Sequence, residues 1–119
     1  MIEIIYNKPD STKYSQVFCV YKMWFNSHYY IGCTSNLSKR IAIHYSIIKR
    51  LNKGFSVNKA TRKVYRKITK LIDNESFIEI NIEVLFVSSS LKEVEECERK
   101  LLYSQRNDTN SLNNVKKRF

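Results

Sequence analysis

A chain of 119 residues buries one core and is too short for two, so residues 1–119 are expected to form one domain. Gly (2) and Pro (1) are too few for a flexible linker. No apolar run approaches the roughly 20 residues that span a bilayer, and no signal pattern opens the chain, so an intracellular protein without a membrane partner is expected. Net charge is +10, and between Asp10 and Asp73 there are 13 Lys and Arg and no acidic residue, a field that calls for a polyanionic partner such as DNA.

Met1 to Tyr6 can form an edge strand. Val17 to Phe25 is a run of aromatic and branched residues that predicts a second strand. Asn26-Ser27-His28 supplies turn chemistry before a further strand over Tyr29 to Thr34, so the two read as a hairpin with Tyr21 and Tyr30 on neighbouring strands. Ser35 or Asn36 caps a helix whose apolar positions Leu37, Ile41, Ile48 and Leu51 recur at helical spacing, and Asn52 to Gly54 ends it. A helix from about Val57 to Ile72 buries Val57, Ala60, Val64, Ile68 and Leu71. It turns Lys59, Lys63, Arg66, Lys67 and Lys70 away from that stripe, and with Arg62 these are the candidate DNA-phosphate contacts. A membrane surface also attracts such charge, but the apolar face of this helix is needed for the core.

Phe77 to Val87 alternates, with Ile78, Ile80, Ile82, Val84 and Phe86 on one face and Glu79, Asn81 and Glu83 on the other, which predicts a half-buried strand. Ser90-Leu91-Lys92-Glu93 has the form of a capping box opening a third helix, buried along Leu91, Val94, Leu101 and Leu102. The class is α+β, sandwich-like, in the order ββααβα with an optional strand in front. Cys19, Cys33 and Cys97 are odd in number and widely spaced, so reduced thiols are expected.

Two positions break the hydrophobic logic. His44 lies in the stripe of Leu37, Ile41 and Ile48, with Arg40 one turn before it and both directed toward the sheet. Glu98 follows Val94 by four residues and interrupts the stripe of the third helix, while Glu93, Glu95 and Glu96 fall mostly on the solvated side. A carboxylate facing a core needs a cation, a metal ion or several donors. The bland alternative is an Arg40–Glu98 ion pair that staples two helices.

Cys19-Val20-Tyr21, Tyr30-Ile31-Gly32, Leu37-Ser38-Lys39-Arg40, His44 and the helix of Glu98 together resemble the GIY-YIG nuclease superfamily, in particular its homing-endonuclease and viral branches. The resemblance covers roughly residues 16 to 114. It implies a small three-stranded antiparallel sheet flanked by helices, and a stand-alone endonuclease domain that hydrolyses DNA phosphodiesters with Mg2+ or Mn2+. Glu98 would be the metal ligand, Tyr21 or Tyr30 would help deprotonate the attacking water, and Arg40 would meet the scissile phosphate. His44 would orient a tyrosine or relay a proton, and Asn113, or else Asn110, would support the site.

The chain departs from the family pattern in several places. Cys19 stands for the usual first glycine and Val20 for isoleucine, and the short interval from Tyr21 to Tyr30 requires a tight turn. Ser56 falls where some members carry a second histidine. Without an appended recognition module, weak sequence selectivity or selectivity for branched and flapped DNA is expected, and two copies acting transiently on one DNA remains an open arrangement. The alternative function is a non-catalytic DNA-binding module that keeps the fold and the basic face.

Overall fold

The chemistry-bearing residues are positioned by a hairpin, and the hairpin is made by its turn. The computed structural model describes residues 2–7, 9–10, 14, 17–55 and 63–113. Strand β2 (Phe18–Phe25) and strand β3 (His28–Thr34) pair antiparallel across the two residues Asn26 and Ser27. Asn26 takes a φ of 57°, a left-handed conformation that asparagine tolerates. Its side-chain amide donates to the Phe77 carbonyl at 3.0 Å and accepts from the Glu79 N–H at 2.8 Å, which ties the turn to the last strand. The short interval between the two tyrosines thus closes in the tight turn it demanded.

The sheet has four strands rather than three, and it is mixed. β1 (Glu3–Asn7) lies at the edge, parallel to β4 (Phe77–Ser88), and the spatial order is β1-β4-β2-β3. The element order is therefore βββααβα, with the optional first strand realised. A parallel pair needs a long connection, which the chain between β1 and β4 supplies.

Helix α1 (Leu37–Asn52) starts at Asn36, whose side chain accepts from the Lys39 N–H at 3.1 Å. It ends as expected over Asn52 to Gly54: Gly54 has a φ of 84°, the Gly54 N–H bonds the Leu51 carbonyl and the Phe55 N–H bonds the Arg50 carbonyl. Helix α2 runs Lys63–Asn74, so the expected beginning at Val57, with Ala60, lies outside the described residues. Helix α3 (Leu91–Ser104) is capped by Ser90, but the capping box closes indirectly. Glu93 accepts from the Ser88 hydroxyl, and Ser88 in turn accepts the Ser90 N–H.

Helices α1 and α2 cover one face of the sheet and α3 the other. The first core gathers Tyr21, Met23, Phe25, Ile41, Ile48, Ile68, Ile78 and Ile80. The second gathers Val20, Tyr29, Ile31, Val94 and Leu102. Phe86 does not share the face of Ile78 to Val84 as its alternation implied. Val20 pairs with Phe86 but Tyr21 with Val84, so Leu85 is an extra residue, and both Leu85 and Phe86 pack on the α3 side. Leu91 is also not buried: at the first turn of α3 it is 45% exposed. No helix among the described residues is long and apolar enough to cross a membrane, and Cys19, Cys33 and Cys97 are all free thiols.

Candidate active site

The glycine of the Tyr30-Ile31-Gly32 run is there because of Tyr21. Gly32 pairs directly with Tyr21 across the hairpin, and a Cβ placed on it would lie 2.5 Å from Tyr21 Oη and 2.6 Å from Cζ. Only a residue without a side chain lets the ring lie across the neighbouring strand. Tyr30, two residues from Gly32, is then the diagonal neighbour of Tyr21, with ring centroids 6.3 Å apart.

From that position Tyr21 reaches α1. Tyr21 Oη and His44 Nε2 share a hydrogen bond of 3.0 Å, and His44 Nδ1 shares another of 3.0 Å with Tyr65 Oη on α2. All three are buried, with Tyr21 0%, His44 6% and Tyr65 1% exposed. The imidazole in the apolar stripe is thus satisfied by two phenols, one on each ring nitrogen. A neutral imidazole donates through one nitrogen and accepts through the other, so the row has a direction set by its tautomer. Tyr30 meets the same imidazole edge-on at 5.6 Å.

Tyr65 was absent from the sequence reading. Its spacing held the signal, since Tyr65, Ile68 and Ile72 recur at helical intervals and Tyr65 alone of these carries a hydroxyl able to serve a buried histidine.

At the open end of β3 lies a cleft of about 670 Å³, lined by Tyr30 and Thr34 from β3, Arg40 from α1, and Glu95, Glu98 and Arg99 from α3. Tyr30, Arg40 and Glu98 are thereby brought into one solvent-accessible place. Tyr21 is not among its lining residues. Glu95, exposed as expected, lines it too, because three residues before Glu98 is the same face of a helix. Arg40 is exposed at the start of α1 rather than packed under the sheet.

Asn113 stands apart from this cleft. Its side chain donates to the Ile31 carbonyl and accepts from the Ile31 N–H, both at 2.9 Å, so it extends the β3 edge like a further strand residue. Asn110 adds its carbonyl to the Tyr29 N–H at 3.0 Å. Both asparagines hold the strand that carries Tyr30.

On α2, Arg66 and Lys70 are exposed as expected. Lys67 is half-buried instead, with Nζ 3.5 Å from the Ser111 carbonyl. Lys59 and Arg62 lie outside the described residues, as does Ser56.

Burial holds the Tyr21 phenol far above the ordinary tyrosine pKa. Neighbouring Tyr30 raises it further, Arg40 lowers it in part, and Tyr65 and Glu98 raise it again. Tyr21 is therefore a neutral phenol at physiological pH, able to donate and accept hydrogen bonds. The Cys33 thiol, also in the cleft, is pushed up to about 11 by burial and then by Glu98 and Glu95, so it carries no charge there.

Among the described residues no group of three or more His, Cys, Asp or Glu gathers as a metal cluster. The oxygen donors in the cleft are the carboxylates of Glu95 and Glu98 with the hydroxyls of Tyr30, Thr34 and Ser35. Such a set suits a hard cation that keeps most of its own waters. No protein-family model, no curated protein and no solved structure matches the chain.

Proposed function

We propose that the chain is a divalent-cation-dependent endonuclease that hydrolyses phosphodiester bonds of DNA, with weak sequence selectivity or with selectivity for DNA structure. The observation that carries this reading is the single cleft lined by Tyr30, Arg40 and Glu98, drawn from three different elements of a strongly basic chain. The resemblance of these residues and their spacing to the GIY-YIG nucleases supports the same assignment.

Glu98 is the residue that would hold a magnesium or manganese ion, with water and phosphate oxygens completing the shell. When bound, such an ion supplies charge to a phosphoryl oxygen and lowers the pKa of a bound water. Arg40 presents a planar pair of donors to the non-bridging oxygens and answers the negative charge that grows as water adds to phosphorus and the bond to one ester oxygen breaks. Tyr30 is the phenol on the open side and takes the proton from the attacking water. Tyr21 and His44 act behind it by holding the hairpin and α1 in register. Arg66 and Lys70 on α2 meet backbone phosphates away from the cut.

Purified protein incubated with supercoiled, linear and branched DNA is expected to nick DNA with magnesium and not with chelator. Glu98→Ala and Arg40→Ala are each expected to lower cleavage by about 10²-fold or more while DNA binding persists. Equal cleavage by Glu98→Ala and wild type would sink the enzymatic reading. Binding without cleavage under every condition would favour the DNA-binding module.

A further inference from the structure

We infer that Phe18 and Leu91 are the seat of an unpaired base: the cleft takes DNA in which the nucleotide beside the scissile phosphate has left the duplex, as at a flap or a branch. The inference rests on the nuclease reading and names the substrate of that site.

The lining of the cleft divides by chemistry. Tyr30, Arg40 and Glu98 belong to its polar part, and Phe18 at the start of β2 with Leu91 at the first turn of α3 supplies an apolar wall. Leu91 was expected in the core and is 45% exposed instead, while Phe18 is half-buried and backed by the core on the α3 side. A single exposed leucine calls for no explanation. An aromatic ring and a leucine in one cavity with an arginine and a carboxylate fit a ligand that is charged at one end and flat and apolar-faced at the other. A nucleotide is such a ligand.

The dimensions agree. Leu91 precedes Glu98 by two helical turns, about 10 Å along α3, a span that a nucleotide bridges from its phosphate to the far edge of its base. The volume of about 670 Å³ leaves room for a base beside a hydrated ion. Intact duplex does not use the wall, because its bases are stacked inside the helix and only phosphate and sugar reach the cleft. Stacking one base on an aromatic side chain is worth about ten- to a hundredfold in affinity, and drawing a paired base out of the duplex costs about as much or more. The wall therefore gives a net gain only where the base is already unpaired.

A flap oligonucleotide with 2-aminopurine as its first unpaired base tests this, bound with calcium in place of magnesium and intact DNA checked by gel. Wild type is expected to quench the fluorophore and to bind the flap about tenfold more tightly than a duplex of the same length. Phe18→Leu, which keeps an apolar side chain against the core, is expected to relieve the quenching and remove that preference while duplex affinity stays unchanged. Leu91→Ser, at a position already exposed, is expected to weaken flap binding several-fold and to spare the duplex. Tyr103→Leu, which removes an exposed ring of α3 outside the cleft, is expected to change neither. Bright 2-aminopurine in the bound complex overturns the inference, as does an undiminished flap preference in both Phe18→Leu and Leu91→Ser. Magnesium-dependent, Glu98-dependent cleavage of flap and duplex at equal rates without quenching would remove this inference and leave the nuclease standing. Phe18-dependent quenching without any cleavage would keep the base seat and remove the nuclease.

Discussion

The cleft at the open end of β3 and the hydrogen-bonded row behind it use the same residue types in opposite environments. Tyr30 lines the cleft with Arg40 and Glu98, whereas Tyr21, one diagonal step away on the same hairpin, is sealed with His44 and Tyr65. The difference assigns the labour. On the nuclease reading proposed above, the phenol that lines the cleft takes the proton and the buried phenol, bonded to His44, holds its neighbours in place. The two tyrosines that looked equivalent in the chain are separated by a few ångströms and by burial.

The largest test of that division exchanges each phenol for phenylalanine. Tyr30→Phe is expected to lower kcat by about 10²-fold or more, the range of a lost proton acceptor. Tyr21→Phe is expected to cost about tenfold, through looser placement of His44 and α1. Single-turnover cleavage rates measured with saturating DNA read this difference directly. The reverse ranking would make the buried row the proton path and leave Tyr30 as a wall of the cleft.

A smaller effect breaks the contact that orders the hairpin. Gly32→Ala puts a methyl group 2.5 Å from Tyr21 Oη, so the ring must leave its place or the strands must part. A loss of about 1–3 kcal/mol in denaturant unfolding is expected, as for other overpacked cores. An unchanged midpoint would mean that the ring of Tyr21 does not lie across Gly32.

Next in size is the far end of the row. Tyr65→Phe leaves His44 Nδ1 without its 3.0 Å partner at a buried position and is expected to cost about 1 kcal/mol of stability. Nitrogen NMR of His44 checks the mechanism, because loss of a tautomer-fixing partner changes the ring-nitrogen shifts whereas a packing defect does not. Unmoved shifts would make Tyr65 a core residue only.

These contrasts also mark what a linear reading reaches. The hairpin, the cap at Asn36 and the Gly54 terminus were legible because each is decided by adjacent residues. His44 and Glu98 were legible as misfits in apolar stripes, and Glu98 lines the cleft together with Arg40, the residue one turn before His44. The parallel seat of β1 was not, since nothing local selects a partner 74 residues away. The change of face at Phe86 was hidden because one bulged residue, Leu85, leaves the composition of the strand intact and alters only its register. The way in which Asn113 would support the site was not legible either. Its place in the chain suited a site residue, while its amide matches both polar groups of the Ile31 backbone and is consumed there.

The smallest expected effect separates the two regions by pH. Tyr21 has its pKa raised, first by burial and then by Tyr30, above the ordinary value of about 10 that it regains on unfolding. A raised pKa means that the folded state holds its proton where the unfolded chain has lost it. The stability associated with Tyr21 is therefore fully present below about pH 10 and is lost as pH rises beyond it. Each group of this kind contributes a slope of about 1.4 kcal/mol per pH unit. Tyr29 shares the behaviour, because burial and its 2.7 Å hydrogen bond to the Asp108 carboxylate also favour the neutral phenol. Wild type is thus expected to weaken between pH 10 and 11, and Tyr21→Phe to weaken less steeply by one group's slope despite starting less stable. Urea midpoints at half-unit pH intervals measure both slopes. Parallel curves for wild type and Tyr21→Phe would place the Tyr21 phenol in contact with water, and the buried row would then be an extension of the cleft rather than its support.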